Sequence, residues 1–116
     1  MKGLPTSMLA SALAAVSILL AACGQQGDPA AQAPVSGDEV RVIDNAFEPA
    51  HLEVATGQSV AWRWDARVDH DVVGDAFDSG LQREGTFTHQ FAEPGTYDYV
   101  CTLHPGMTGR ITVTAG

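Results

Sequence analysis

Phe91-Ala92-Glu93-Pro94-Gly95-Thr96-Tyr97-Asp98-Tyr99-Val100-Cys101-Thr102-Leu103-His104-Pro105-Gly106-Met107 decides how the chain reads. Glu93-Pro94-Gly95 is a turn signal, because Pro presets φ and Gly accepts backbone conformations other residues resist. After it the pattern alternates. Tyr97, Tyr99 and Cys101 share one face, and Thr96, Asp98 and Val100 the other. Such period-two alternation, rich in aromatics, marks a half-buried strand. The strand delivers Cys101 into a loop holding Pro105 and Gly106, which also carries His104 and Met107. A thiolate, an imidazole and a thioether within seven residues are soft and borderline donors. They suit copper that cycles between two oxidation states, for which two His and one Cys form a plane beneath a weak axial Met. One His is still to be found.

Outward from this stretch the runs are short and β-like. Residues 40–43 form one run, Leu52 and Val54 flank an alternation, and Thr56-Gly57-Gln58 turns the chain. Residues 59–64 put Val60, Trp62 and Trp64 on one face, and residues 86–91 do the same with Phe87, His89 and Phe91. Residues 70–73 and 109–114 supply two more runs, the last with Ile111 and Val113 inward. Residues 75–84 are too polar and Gly-broken for a strand and read as an irregular loop or a single turn. No helical period appears after Asp38. Seven or eight short strands with regular turn signals imply an all-β fold, a Greek-key β-sandwich or barrel. The candidates for the missing ligand are His51, His70 and His89. His51 follows a Pro-Ala turn and reads as solvent-facing, while His89 sits among Phe residues and reads as a partly buried packing residue.

The start of the chain reads differently. Lys2 precedes an apolar, small-residue stretch over 8–22, short for a membrane span but suited to the core of a signal segment. It ends Leu20-Ala21-Ala22-Cys23-Gly24, which resembles the bacterial lipobox, in which cleavage precedes a Cys that carries diacylglycerol. The expected organisation is a lipoprotein signal peptide over 1–22, a lipidated Cys23 with a flexible linker over 23–37, and a folded domain over 38–116. If Cys23 is acylated, Cys101 has no disulfide partner, and metal ligation gives that lone thiol a use. From Cys23 onward five Arg face fourteen acids, a formal charge of −9, with no basic cluster. Nucleic acid and anionic lipid headgroups are therefore poor partners.

The domain resembles the small blue-copper cupredoxins of the plastocyanin, amicyanin and halocyanin type across nearly all of 38–116. The resemblance rests on Asn45-Ala46-Phe47-Glu48-Pro49, on Leu52, Val54, Gly57, Val60 and Trp62, and on His70-Asp71-Val72-Val73. Phe77-Asp78-Ser79-Gly80 and the ordered set Phe91, Pro94, Gly95, Tyr97, Tyr99, Cys101, His104, Met107 and Gly109 complete it. It assigns one copper ion to His70, Cys101, His104 and Met107, with Cys-x-x-His-x-x-Met spacing most similar to amicyanin. Asp71 stands where the family carries Asn. An Asp keeps an acceptor, loses a donor and adds negative charge near the site. Thr102, next to the ligand Cys, reads as a neighbour that moderates the thiolate. Tyr97 resembles a tyrosine corner. The implied function is electron transport by type 1 copper, without catalysis, in an exported, membrane-anchored monomer facing the periplasm or cell exterior. Electrons would leave by the edge of His104, amid Leu103, Pro105 and Gly106, to a redox protein such as a c-type cytochrome. The alternative is a copper-delivery lipoprotein without electron transfer. A copper enzyme of the nitrite reductase kind needs a second such domain, and Met is a poor ligand for zinc.

Overall fold

Val60, Trp62 and Trp64 point inward from one long strand, at 0, 0 and 5% exposure, and the molecule is arranged around them. The computed structural model of the protein describes residues 27–116, together with Gly3. Among the described residues it has nine strands: β1 (Val35–Ser36), β2 (Glu39–Ile43), β3 (Ala46–Glu48), β4 (His51–Ala55), β5 (Ser59–His70), β6 (Val73–Gly74), β7 (Gln82–Gln90), β8 (Gly95–Val100) and β9 (Thr108–Thr114). They form a five-stranded sheet, β1-β4-β9-β8-β6, and a four-stranded sheet, β3-β2-β5-β7. The predicted Greek-key sandwich is what forms. The alternations set the faces: β9 buries Gly109, Ile111 and Val113 and turns Arg110 and Thr112 outward, and β4 buries Leu52 and Val54. Between the sheets Trp62 packs edge-on to Tyr99, with ring centroids 5.5 Å apart, and tilted against Phe77 at 5.3 Å and Phe87 at 5.7 Å. Burying one such aromatic side chain contributes several kcal/mol, on the order of 25 cal/mol per Å².

Two strands run further than their sequences suggest. β5 continues beyond Trp64 to His70, with a register irregularity between Asp65 and His70 against β7. β7 starts at Gln82, so the irregular loop is shorter than the 75–84 expected. Polar, exposed residues hide both extensions, because cross-strand backbone pairing does not require an apolar face. Tyr97 donates its hydroxyl to the Glu93 carbonyl at 2.8 Å, closing the corner across the Pro94-Gly95 turn.

The stretch read as a linker differs most from expectation. Its segment from Asp28 to Ser36 lies on the domain. A 3-10 turn over Pro29–Ala31 buries Ala30 to 2% exposure, and β1 pairs in parallel with β4 at Val35–Leu52 and Ser36–Glu53. Asp28 caps the turn by accepting from the Ala30 amide at 3.0 Å and also accepts from the Thr108 hydroxyl. His51, expected to face solvent, anchors the segment: its Nδ1 meets the Gln32 carbonyl at 2.7 Å and its Nε2 the Thr112 hydroxyl at 2.6 Å. The folded unit thus reaches back ten residues before Asp38, held by small-residue burial and backbone bonds that leave no apolar pattern.

Candidate metal centre

Strand polarity gathers the candidate ligands at one end of the sandwich. β5 runs into His70, β8 runs into Cys101, and β9 leaves from Thr108, so the 101–107 loop and His70 share that end. The loop is closed by its own backbone: Cys101 N–H donates to Met107 C=O at 3.0 Å, His104 to Cys101 at 3.4 Å, and Met107 to His104 at 3.1 Å. Gly106 lies at φ 83°, a conformation that favours Gly, and permits the tight return. His70 is 0% exposed, Cys101 3% and Met107 2%, while His104 is half-buried.

Each of His70, Cys101 and His104 offers one ligand atom, and these atoms all lie within 4.8 Å of one another. Cys101 Sγ is 3.7 Å from His70 Nδ1 and 3.4 Å from His104 Nδ1. The two imidazoles, 4.5 Å apart by centroid, thus turn the same nitrogen toward one sulfur. Metal–sulfur bonds of about 2.3 Å and metal–nitrogen bonds of about 2.0 Å, spread at about 120°, separate sulfur from nitrogen by roughly 3.7 Å. Both sulfur–nitrogen separations are close to that value, so the donors present suit a trigonal metal ion. Met107, also buried, follows in the same loop.

Asp44 explains why His70 presents Nδ1. β2 and β3 are joined by the turn Asp44-Asn45, with Asn45 in the left-handed region at φ 66°, which Asn tolerates. That turn sets the Asp44 carboxylate 3.0 Å from His70 Nε2. Its oxygens also accept from the Arg67 amide at 3.0 Å and the Val68 amide at 3.4 Å. The bond to His70 first, and the Arg67 amide next, hold the Asp44 carboxyl below the usual carboxylate range, against a smaller opposing effect of desolvation. An ionised carboxylate only accepts, so Nε2 carries a proton and donates to Asp44, which leaves Nδ1 as the nitrogen turned toward the sulfur. Trp64 fixes the same residue from its backbone, donating Nε1–H to the His70 carbonyl at 3.1 Å. Sequence reasoning missed Asp44, which is twenty-six residues from His70. The turn between two alternating runs was its only signal.

Asp71 is buried at 6% exposure and takes a pair of bonds from Thr102, 2.7 Å from its amide and 2.6 Å from its hydroxyl. The strand end that carries His70 is thereby tied to the residue after Cys101, and the Thr102 hydroxyl donates where an Asn amide would have done so. The Thr102 amide is thus engaged with Asp71. His89 stays away from the site, with its ring 5.0 Å from Phe77 and 4.8 Å from Phe91, as its neighbours suggested. Cys23 lies outside the described residues.

No family model matches the chain. Among curated proteins, amicyanin-alpha of Methylorubrum extorquens is 31% identical over 115 residues, covering 90% of this chain and 94% of that protein. Among solved structures, a purple cupredoxin from Nitrosopumilus maritimus superposes with a TM-score of 0.63 at 25% identity, over 67% of this chain and all of that one. A copper-containing nitrite reductase from Thermus scotoductus matches with a TM-score of 0.59 at 26% identity, over 68% of this chain but 22% of that one. With a relative matched along nearly its whole length, a cupredoxin sandwich, and two His and a Cys converging at one end of it, the chain belongs to the blue-copper cupredoxins.

Proposed function

We propose that this protein carries single electrons on one copper ion held by His70, Cys101, His104 and Met107, and that Cys23 anchors it by a lipid to the membrane of an exported compartment. The observation that carries the reading is the convergence of the Cys101 sulfur and both Nδ1 atoms at one point, from elements on both sheets. Copper, when bound there, supplies one-electron chemistry by alternating between its two oxidation states. The chain's part is to keep the donors still. His70 is clamped by Asp44 and Trp64, Cys101 is set by β8, and the loop is closed by its own backbone bonds. Burial of His70, Cys101 and Met107 excludes water and leaves half-buried His104 as the route outward, beside Leu103 at 49% exposure.

A delivery protein must release its ion, and buried ligands hinder that, which favours the carrier over the copper-donor alternative. The partner is a redox protein, with a basic c-type cytochrome suited to the acidic surface. The protein works as a monomer, and no helix among the described residues is long and apolar enough to cross a membrane. Adding cupric ion to the purified chain should produce an intense visible thiolate-to-copper band. Cys101→Ser should abolish the band, and Met107→Leu should keep it with an altered potential. A colourless wild-type complex would overturn the reading.

A further inference from the structure

The segment from Asp28 to Ser36 settles where the chain leaves the domain. Asp28 bonds Thr108, the residue after Met107, and Gly27, Asp28 and Pro29 line one hollow with Gly106 and Thr108. Ala30 is buried, and His51 grips the Gln32 carbonyl. The polypeptide thus departs beside the metal loop. The opposite end of the sandwich, where β4 ends at Ala55 and β9 at Thr114, is remote from this exit. Five peptide steps separate Cys23 from Asp28, and fully extended they reach about 17 Å, at most ~3.5 Å each. A lipid on Cys23 therefore permits little rotation of the domain above its bilayer.

We infer that the docked segment fixes the metal-loop end of the sandwich toward the lipid surface, so that the Leu103–Gly106 face meets a redox protein held in the same membrane. This rests on the proposed lipidation of Cys23 and on the copper site. The formal charge of −9 from Cys23 onward opposes tight seating on anionic headgroups, so the occupant of that face is protein and not lipid. The exchange itself is balanced: one electron passes from the partner's reduced centre to cupric copper, or from cuprous copper to its oxidised centre.

The test uses the full lipidated chain, copper-loaded, on phosphatidylcholine vesicles. A headgroup dye whose emission overlaps the blue absorption band should be quenched by oxidised protein and recover when ascorbate bleaches that band. Inserting twelve Gly and Ser residues after Gly24 should lower the local concentration of the metal end at the surface about sixfold, by the −3/2 power of tether length. The redox-dependent quenching should fall with it, while the blue band and vesicle binding persist. Ala30→Arg, which expels the segment, should act in the same direction. Reduction by a headgroup-linked ferrocene, which yields ferrocenium and cuprous copper, should slow about sixfold in the insertion variant, with no change for soluble ferrocene. Quenching that is absent in wild type, or equal in wild type and variants, overturns the inference. Protein left in the supernatant overturns it through the anchor, and vesicle-bound protein without colour overturns it through the copper site.

Discussion

Asp71 places a carboxylate one residue from His70 and two hydrogen bonds from the residue after Cys101. Asn at that position could keep the Thr102 amide bond through its oxygen, while the Thr102 hydroxyl turned to accept from its nitrogen. Asp71→Asn therefore removes negative charge with little change of shape. The buried carboxylate favours cupric over cuprous copper, so the variant should have a higher reduction potential, by tens of millivolts on the order expected for a nearby charge. Voltammetry showing an equal or lower potential would reject this. Asp44 acts on the other side of His70. Asp44→Ala frees the ring to rotate and to shift its proton, and should weaken copper binding about 10–100-fold in a chelator competition. Unchanged affinity would leave Asp44 as a turn residue only. The two carboxylates differ in how far sequence discloses them. Asp71 adjoins a ligand and stands where the resemblance expects Asn. Asp44 becomes relevant only when β2 lies beside β5 in parallel, a pairing that no local pattern specifies.

The elements that hold the site depend on a close fit between β8 and β9. Tyr99 faces Gly109 across the ladder, and a Cβ on Gly109 would overlap the Tyr99 ring. Gly109→Ala should thus force a shift in the strand leading to Cys101, costing about 1–3 kcal/mol as overpacking does and lowering Tm by several degrees. Trp64 offers a contrast. Trp64→Phe leaves the buried His70 carbonyl without its donor, at a cost of about 1–3 kcal/mol. Among the described residues the Tyr99 hydroxyl makes no hydrogen bond, so Tyr99→Phe should cost less, which thermal unfolding of both variants can check. Alternation and turn residues made most strands legible, since an inward side chain every second residue leaves its mark. β1 and the 3-10 turn left none. Their hold on the domain is one buried Ala, a parallel pairing of two residues and a few hydrogen bonds.

Across the whole molecule the metal joins elements that already meet without it. The donors are brought together by strand ends and by contacts of Asp44, Asp71 and Trp64, so the copper-free chain should keep its fold and unfold cooperatively. Copper should then raise Tm by the usual mass-action increment, which calorimetry with and without the ion would show. The docked N-terminal segment has its own condition. The Thr108 hydroxyl and then the Ala30 amide lower the Asp28 carboxyl from its ordinary 3.8. Its contribution is complete above that value and disappears as pH falls through the lowered one. Hydrogen exchange at the Ala31 and Gln32 amides should speed up in acid before the core strands do. The order of strands also carries a consequence in time. β9, the last strand, lies between β4 and β8 in the centre of its sheet, and three of the four ligands immediately precede it. The five-stranded sheet cannot close until β9 has been made after all the other strands, and such long-range pairing is slow. If the chain is exported unfolded, as the proposed signal segment implies, it would meet copper only after translocation and would draw the ion from the supply of the outer compartment.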